Sequence, residues 1–243
     1  AGFTIEGSNV HLDVWGLAQR IEGKTMYLLP KGQTIGSDIK SMERKKGLEE
    51  IHMFLKDSMK GKQMYIGFFC LGPVNSPFSI LAVQLTDSSY VAHSEHILIR
   101  DGYEQFKKTK DTQFFIIVDR AGILDKNNVS KDIDKRRIYI DLDENIVYSV
   151  NTQYAGNTIG LKKLAMRLAL KKASDESWLT EHMFVMGVKA PNNRVTYFSG
   201  SFPSACGKTS SCMLEGENIV GDDIAYLRKI NGKIRGVNVE RGI

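Results

Sequence analysis

The stretch Ser199-Gly200-Ser201-Phe202-Pro203-Ser204-Ala205-Cys206-Gly207-Lys208-Thr209 carries an extended run into a Gly-Lys-Thr turn, and Gly221-Asp222-Asp223 follows a second short apolar run. Backbone N–H groups in such a turn, the Lys208 ammonium and the Thr209 hydroxyl together suit a phosphate chain and the magnesium ion it carries. The general phosphate-loop pattern would put its first glycine at Phe202, so this loop is a variant, stiffened by Pro203. Asp222 and Asp223 at a strand end could both aim carboxylates at metal, although two adjacent acids taken alone are more commonly an exposed turn. Cys206 lies inside the loop, either reactive toward alkylating and oxidising reagents or an inert packed thiol.

Other residues draw notice less by themselves. His182 is one of five histidines, with His11, His52, His93 and His96, and a lone histidine before an apolar run is more often a packed or surface side chain than a ligand. Lys162 and Lys163 read as solvated helix lysines; a lysine can coordinate metal after losing its proton, which a nearby divalent cation favours. Arg20 could grip a carboxylate or phosphate with two parallel hydrogen bonds. On residue type alone Arg20 is a surface salt-bridge partner and Tyr154 a core-edge residue.

The elements that must position these residues follow from periodicity and turn chemistry. Residues 24–30 read as a strand stopped by Pro30, and residues 41–59 as an amphipathic helix with Leu48, Ile51, His52 and Leu55 at helical spacing. Residues 10–21 fit a short helix or a strand. Extended segments 64–70 and 78–85 flank Gly72-Pro73-Val74-Asn75-Ser76-Pro77, and residues 91–100 and 114–118 are further predicted strands. Residues 125–137 form a polar connection, and 137–142 and 146–150 flank Asp143-Glu144-Asn145 as a hairpin. Residues 161–173 form the clearest helix, with Leu161, Leu164, Ala165 and Leu168 on one face. Strands at 183–188 and 195–198 lead to the phosphate loop, a short strand at 218–220 ends at the paired acids, and Asn231-Gly232 marks a hairpin turn.

Composition narrows the class. With 243 residues, 42% hydrophobic and 25% charged, the chain can bury a substantial core and shows no collagen-like or disordered bias. A formal charge of +5 suits anionic metabolites or nucleotides, while the absence of a basic block interleaved with aromatics argues against nucleic acid as a partner. Three cysteines, Cys70, Cys206 and Cys212, make no fully paired disulfide set and no zinc spacing, as expected of a reducing cytoplasm. No apolar run approaches the roughly 20 residues that span a bilayer, so no membrane is expected. The chain starts at Ala1 and stops at Ile243 without a polar tail, which reads as a piece of something longer.

The run Phe-Pro-Ser-Ala-Cys-Gly-Lys-Thr at 202–209, with Gly-Asp-Asp-Ile-Ala at 221–225, resembles the GTP-dependent phosphoenolpyruvate carboxykinases. Further motifs occur in family order: Arg20-Ile21-Glu22-Gly23-Lys24-Thr25, the segment 64–91 with Gly72-Pro73 and Thr86-Asp87-Ser88, Tyr154-Ala155-Gly156-Asn157 with Lys162-Lys163, and Trp178-Leu179-Thr180-Glu181-His182-Met183. Residues 34–60 and 107–137 carry no such motif.

The resemblance implies an α/β protein with a mixed-sheet substrate-binding domain over residues 1–177. The truncated beginning of a P-loop nucleotide- and metal-binding domain would follow at 178–243. It implies conversion of oxaloacetate and GTP to phosphoenolpyruvate, GDP and carbon dioxide, a lyase reaction of gluconeogenesis or anaplerosis. Arg20, Tyr154, Ala155, Gly156 and Ser204 would hold the substrate, with Ala155 standing where the family more often has glycine. Ala205, Cys206, Gly207, Lys208, Thr209 and Ser210 would bind nucleotide. Lys163, His182 and Asp223 would hold a catalytic Mn2+, Thr209 would hold the Mg2+ that accompanies GTP, and Asp222 would orient that complex from behind. Lys208, Lys162 and Cys206 are the catalytic candidates, Cys206 having no assigned step. The helix after the lysine pair is one residue shorter than in the family, so Lys162 and Lys163 can exchange roles. Two other readings stand beside this one: a different P-loop kinase, which leaves Arg20, Lys163 and His182 without a task, and a non-catalytic phosphate-binding fragment.

Overall fold

The computed structural model describes residues 2–7, 9–13, 25–109, 113–126, 130–153, 161, 165–202 and 206–242. It divides into two compact units, one of Ala1–Gly67, Ala82–His96 and Phe114–Leu168, the other of Phe68–Leu81, Ile97–Gln113 and Ala169–Ile243.

The first unit holds a hairpin of β1 (Gly2–Glu6) and β2 (Asn9–Asp13), and most of a large mixed sheet. In that sheet β4 (Ser41–Glu43) and β9 (Arg137–Asp141) flank β3 (Thr25–Leu29), both parallel to it. Next to β9 runs β10 (Ile146–Val150), antiparallel, followed by β8 (Phe115–Arg120) and β6 (Ile80–Thr86), which are parallel to β10. Central strand β8 has hydrogen-bonded neighbours on both edges, and its Phe-Ile-Ile-Val run alternates between buried and half-buried positions. The β9–β10 hairpin turns at Asn145, whose φ is 57°, and the Asp141 carboxylate accepts hydrogen bonds from the Asp143 and Glu144 amides.

Helix α1 (Arg44–Leu55) is shorter than the predicted 41–59: residues 41–43 pair as β4, and the helix ends at Leu55, two residues before Asp57 at φ 55°. Its Ile51 lies in a cluster with Leu28, Tyr139 and Val150.

Residues 91–100 are not the predicted strand. They lie mostly in α2 (Ser89–Leu98), with the short β7 (Arg100–Asp101) after it. The Ser88 hydroxyl accepts the Val91 amide at 3.4 Å as an N-terminal cap, and Val91 and Glu95 are buried one helical turn apart. The Glu95 carboxylate in turn accepts the Leu161 amide at 3.1 Å. The β-branched residues favoured a strand; Asp87-Ser88-Ser89 was the helix-start signal that competed with them.

Strand β8, between β6 and β10, carries a buried carboxyl near its end. Asp119 is fully enclosed and in register with Thr86 and Ser149, and the Thr86 hydroxyl donates to it at 3.0 Å. Burial, with Asp87 adding to it against the opposing pull of Ser149, Thr86 and Arg120, pushes Asp119 from 3.8 up to about 7. The folded chain therefore keeps a proton that the unfolded chain releases near 3.8. Asp119 supports stability fully below 3.8, and that support is lost as the pH rises to about 7. Thermal unfolding of wild type and Asp119→Asn across this window should show the wild type declining relative to the variant as pH rises. A difference that does not vary with pH would contradict the assignment.

In the second unit, Phe69 and Cys70 of β5 (Tyr65–Leu71) pair antiparallel with β7, and α3 (Tyr103–Lys108) packs Tyr103 and Phe106 on Phe68 at ring distances of 5.4 and 5.2 Å. The last segment of this unit begins at Ala169 within α4 (Ala165–Asp175), where Ala169 and Ala173 are buried. Two three-stranded antiparallel sheets follow. One has the order β11 (Leu179–Glu181), β15 (Ala225–Ile230), β16 (Lys233–Asn238); the other has β13 (Val195–Ser201), β12 (Met183–Lys189), β14 (Asn218–Gly221). The β15–β16 hairpin turns at the predicted Asn231-Gly232, with Asn231 at φ 51°.

Strand β12 is buried on both faces: Met183 and Val185 pack with Ala225, while Phe184 and Met186 pack with Cys212. Cys212 belongs to α5 (Lys208–Cys212), so the short helix is tied to the sheet that precedes it. Among the described residues no helix is long and apolar enough to cross a membrane.

Candidate active site

Because β13 and β14 both run antiparallel to β12, they run parallel to each other and finish at the same end of their sheet. Ser201, the last residue of β13, pairs with Met183; Gly221, the last of β14, pairs with Val185. The phosphate loop and the paired acids thus leave from one edge, where β12 begins. A second constraint comes from the other sheet: Glu181 of β11 pairs with Ala225 of β15, so His182 directly follows β11 where Asp223 lies just ahead of β15. The Ser201 hydroxyl donates to the His182 carbonyl at 3.1 Å.

The start of β11 is fixed by Trp178. Its indole N–H donates to Glu176 at 2.9 Å, and Arg228 donates to the same carboxylate at 3.0 Å while stacking over the indole at 4.4 Å. This anchors the segment that delivers His182.

At the loop, Gly207 caps α5 in the left-handed region at φ 85°, which favours glycine although a Cβ would meet no other atom within 4 Å. Its carbonyl accepts both the amide and the hydroxyl of Ser211, at 2.9 and 2.8 Å. Lys208, next in sequence, donates from Nζ to the Asp223 carbonyl at 2.7 Å and to its carboxylate. Thr209 donates from Oγ1 to Asp222 at 2.8 Å. Each residue of the Lys-Thr pair therefore meets one of the two acids. The lysine and Asp223 side chains are 11% and 16% exposed, so water screens this pair less than an ordinary surface pair.

Cys206 is exposed at the mouth of the turn. Cys212 is buried, its Sγ 3.2 Å from the Thr209 carbonyl, and burial followed by the Asp222 carboxylate pushes its thiol above the usual range. Ser210 is exposed in the first turn of α5.

Of the residues singled out from sequence, Cys206, Gly207, Lys208, Thr209, Ser210, His182, Asp222 and Asp223 are gathered at this end of the second unit. Arg20, Tyr154, Ala155, Gly156, Lys162, Lys163, Ser204 and Ala205 lie outside the described residues. Among the described residues no group of three or more His, Cys, Asp and Glu side chains is disposed to hold a metal ion. The donors present, two carboxylates, a hydroxyl and an imidazole on adjoining elements, are of the oxygen and nitrogen types that Mg2+ and Mn2+ take. Sequence reasoning missed Asn238, which packs against the backbone of Gly221; its one signal is a polar side chain ending a strand just before Val239-Glu240.

A family model described as phosphoenolpyruvate carboxykinase N-terminal domain matches residues 4–174. A second, described as phosphoenolpyruvate carboxykinase C-terminal P-loop domain, matches residues 178–243. Proteins named phosphoenolpyruvate carboxykinase (GTP) from Thermococcus sibiricus and Thermococcus kodakarensis are each 54% identical, over 98% and 96% of this chain. One from Chlamydia felis is 34% identical over 92% of it. The chain spans 38% of the length of the two Thermococcus proteins and 40% of the Chlamydia protein. With the two family models together matching residues 4–174 and 178–243, the chain belongs to the phosphoenolpyruvate carboxykinase family.

Proposed function

We propose that the whole protein to which this chain belongs converts oxaloacetate and GTP to phosphoenolpyruvate, GDP and carbon dioxide. The observation that carries this reading is the pairing of Lys208 with Asp223 and of Thr209 with Asp222 at one sheet edge. Groups suited by chemistry to phosphate (Lys208) and to metal (Thr209, Asp222, Asp223) thus lie side by side, which supports transfer of a phosphoryl group to a metal-held acceptor. Residues 1–177 would form the substrate-binding portion and 178–243 the opening of the nucleotide portion.

In this reading Arg20, Tyr154, Ala155, Gly156 and Ser204 bind and orient the dicarboxylate, and Lys162 adds positive charge beside it. Lys163, His182 and Asp223 would hold Mn2+, and Thr209 with Asp222 would hold and orient Mg2+ and its nucleotide. When bound, these ions supply Lewis-acid polarisation of the keto oxygen and neutralise phosphate charge. Decarboxylation breaks the bond to the departing carboxylate and leaves its electron pair on the enolate oxygen. That oxygen attacks the γ-phosphorus, and the bond to the GDP oxygen breaks. Lys208 carries the step on the protein's side: its ammonium, aimed by Asp223, neutralises charge on the phosphoryl group in flight. The amides of residues 205–210 cradle the remaining phosphates.

The test is phosphoenolpyruvate formation by the full-length protein from oxaloacetate with Mn2+, comparing GTP with ATP. Product with GTP well in excess of product with ATP is expected. Product with neither nucleotide would overturn the reading.

A further inference from the structure

Three residues, Asp222, Asp223 and Ile224, make the turn from β14 to β15, and both of its ends meet one residue, Asn238, the first at its side chain and the second at its backbone. At the first end, a Cβ placed on Gly221 would lie 2.6 Å from Cγ and 2.7 Å from Oδ1 of Asn238. The amide of Asn238 is thus pressed against the glycine backbone with no room for a methyl group. At the other end, Asn238 is the cross-strand partner of Ala225, the first residue of β15. Between them, the Val239 amide donates to the Ile224 carbonyl at 3.4 Å.

Asn238 is itself held. It is 7% exposed, its Nδ2 donates to the Gly242 carbonyl at 2.9 Å, and its Oδ1 accepts the Glu240 amide at 3.3 Å. Both arms of the amide are used, which fixes its plane. The backbone next to it is anchored as well: the Val239 carbonyl accepts Gly72 N–H and Arg100 NH1, each at 2.9 Å, and the Arg241 amide donates to Leu98 at 2.9 Å. Arg100 also reaches the Asn238 carbonyl at 3.4 Å.

We propose that Asn238 is a positioning residue for Asp222 and Asp223, its clamped amide serving as the floor that sets where the acid turn leaves β14 and enters β15. This rests on the metal-holding role proposed above for Asp223. Asn fits where its near relatives do not. Aspartate has the same size but would set a carboxylate oxygen against the Gly242 carbonyl, and alanine would remove both hydrogen bonds and the surface on which Gly221 lies.

The test is Mn2+ binding to the full-length protein, read from the loss of the free-ion electron paramagnetic resonance signal, with thermal unfolding measured in parallel. Supporting contacts of this kind typically change metal affinity by about 10- to 100-fold. Gly221→Ala and Asn238→Ala are each expected to weaken Mn2+ binding by about tenfold or more. The double variant should bind better than Gly221→Ala alone, because removal of the Asn238 side chain makes room for the added methyl. Should Gly221→Ala fail to fold, Asn238→Asp keeps the test: weakened Mn2+ binding is expected, and unchanged binding overturns the proposal. Lowered melting temperatures with wild-type Mn2+ affinity in the single variants would also overturn it, leaving Asn238 a purely structural residue. Absence of Mn2+ binding by the wild type would bring down the metal-site reading together with this inference, whereas wild-type binding with unmoved variants brings down this inference alone.

Discussion

Substitution of Lys208 by methionine is expected to lower phosphoenolpyruvate formation at saturating oxaloacetate and GTP by roughly a thousandfold in the full-length protein. Each tenfold in rate corresponds to about 1.4 kcal/mol, so the ammonium is being asked to supply about 4 kcal/mol of transition-state stabilisation. That demand is reasonable for a charge held in a mostly shielded pair, with side chains 11% and 16% exposed, because solvent does not dilute its field. Methionine keeps the length and apolar stem of lysine while deleting the charge. The interaction removed is one made as charge builds on the transferring phosphoryl group, so the Michaelis constant for oxaloacetate should stay within a few-fold of wild type. Steady-state kinetics with both substrates varied would separate these effects. A loss below about tenfold in kcat would mean that Lys208 does not face the reacting phosphate.

Asp223→Asn should act on the metal instead. The asparagine oxygen can still accept from Lys208, and the backbone carbonyl at 2.7 Å from Nζ is untouched, so the local fold has reason to persist. What is lost is a formal negative charge on a candidate ligand. Mn2+ affinity is expected to fall by at least about a hundredfold, the upper end of what loss of a merely supporting contact costs. Asp222→Asn, whose partner is the Thr209 hydroxyl, should leave Mn2+ affinity closer to wild type and raise the Michaelis constant for the magnesium–GTP complex. Isothermal titration with Mn2+ on the three proteins decides between them; equal losses in the two variants would contradict the separate roles given to the two acids.

Much of this site was legible in the chain because its residues sit at punctuation marks. The strand that becomes β13 ends before Pro203, Gly207 is followed at once by Lys208-Thr209, and the acids follow Gly221 directly, so local patterns sufficed to pick them out. Their pairing was not legible. Lys208 and Asp223 meet because β13 and β14 flank β12 and run the same way, which is a property of long-range strand order that periodicity does not encode. Helix α2 departs from the predicted strand for a different reason. Val91, Ile97 and Ile99 carry strand preference, yet capping by Ser88 and the burial of Val91 and Glu95 on one face stabilise the helix, tertiary context overriding a weak local bias. Asn238 escaped notice because its role lies in contact with a glycine backbone distant in sequence, which leaves no motif. The proton on Asp119 was equally hidden, since its burial depends on three strands assembling around it.

Under the proposed function, the Lys208–Asp223 and Thr209–Asp222 cluster couples decarboxylation to phosphoryl transfer from GTP. The most direct test is the product balance of the full-length protein in one reaction with oxaloacetate, GTP and Mn2+, measuring phosphoenolpyruvate, GDP and carbon dioxide together. Equal amounts of the three products are predicted, each falling in parallel in Lys208→Met. GDP formed without phosphoenolpyruvate would contradict it, because the phosphate site would then be serving another acceptor.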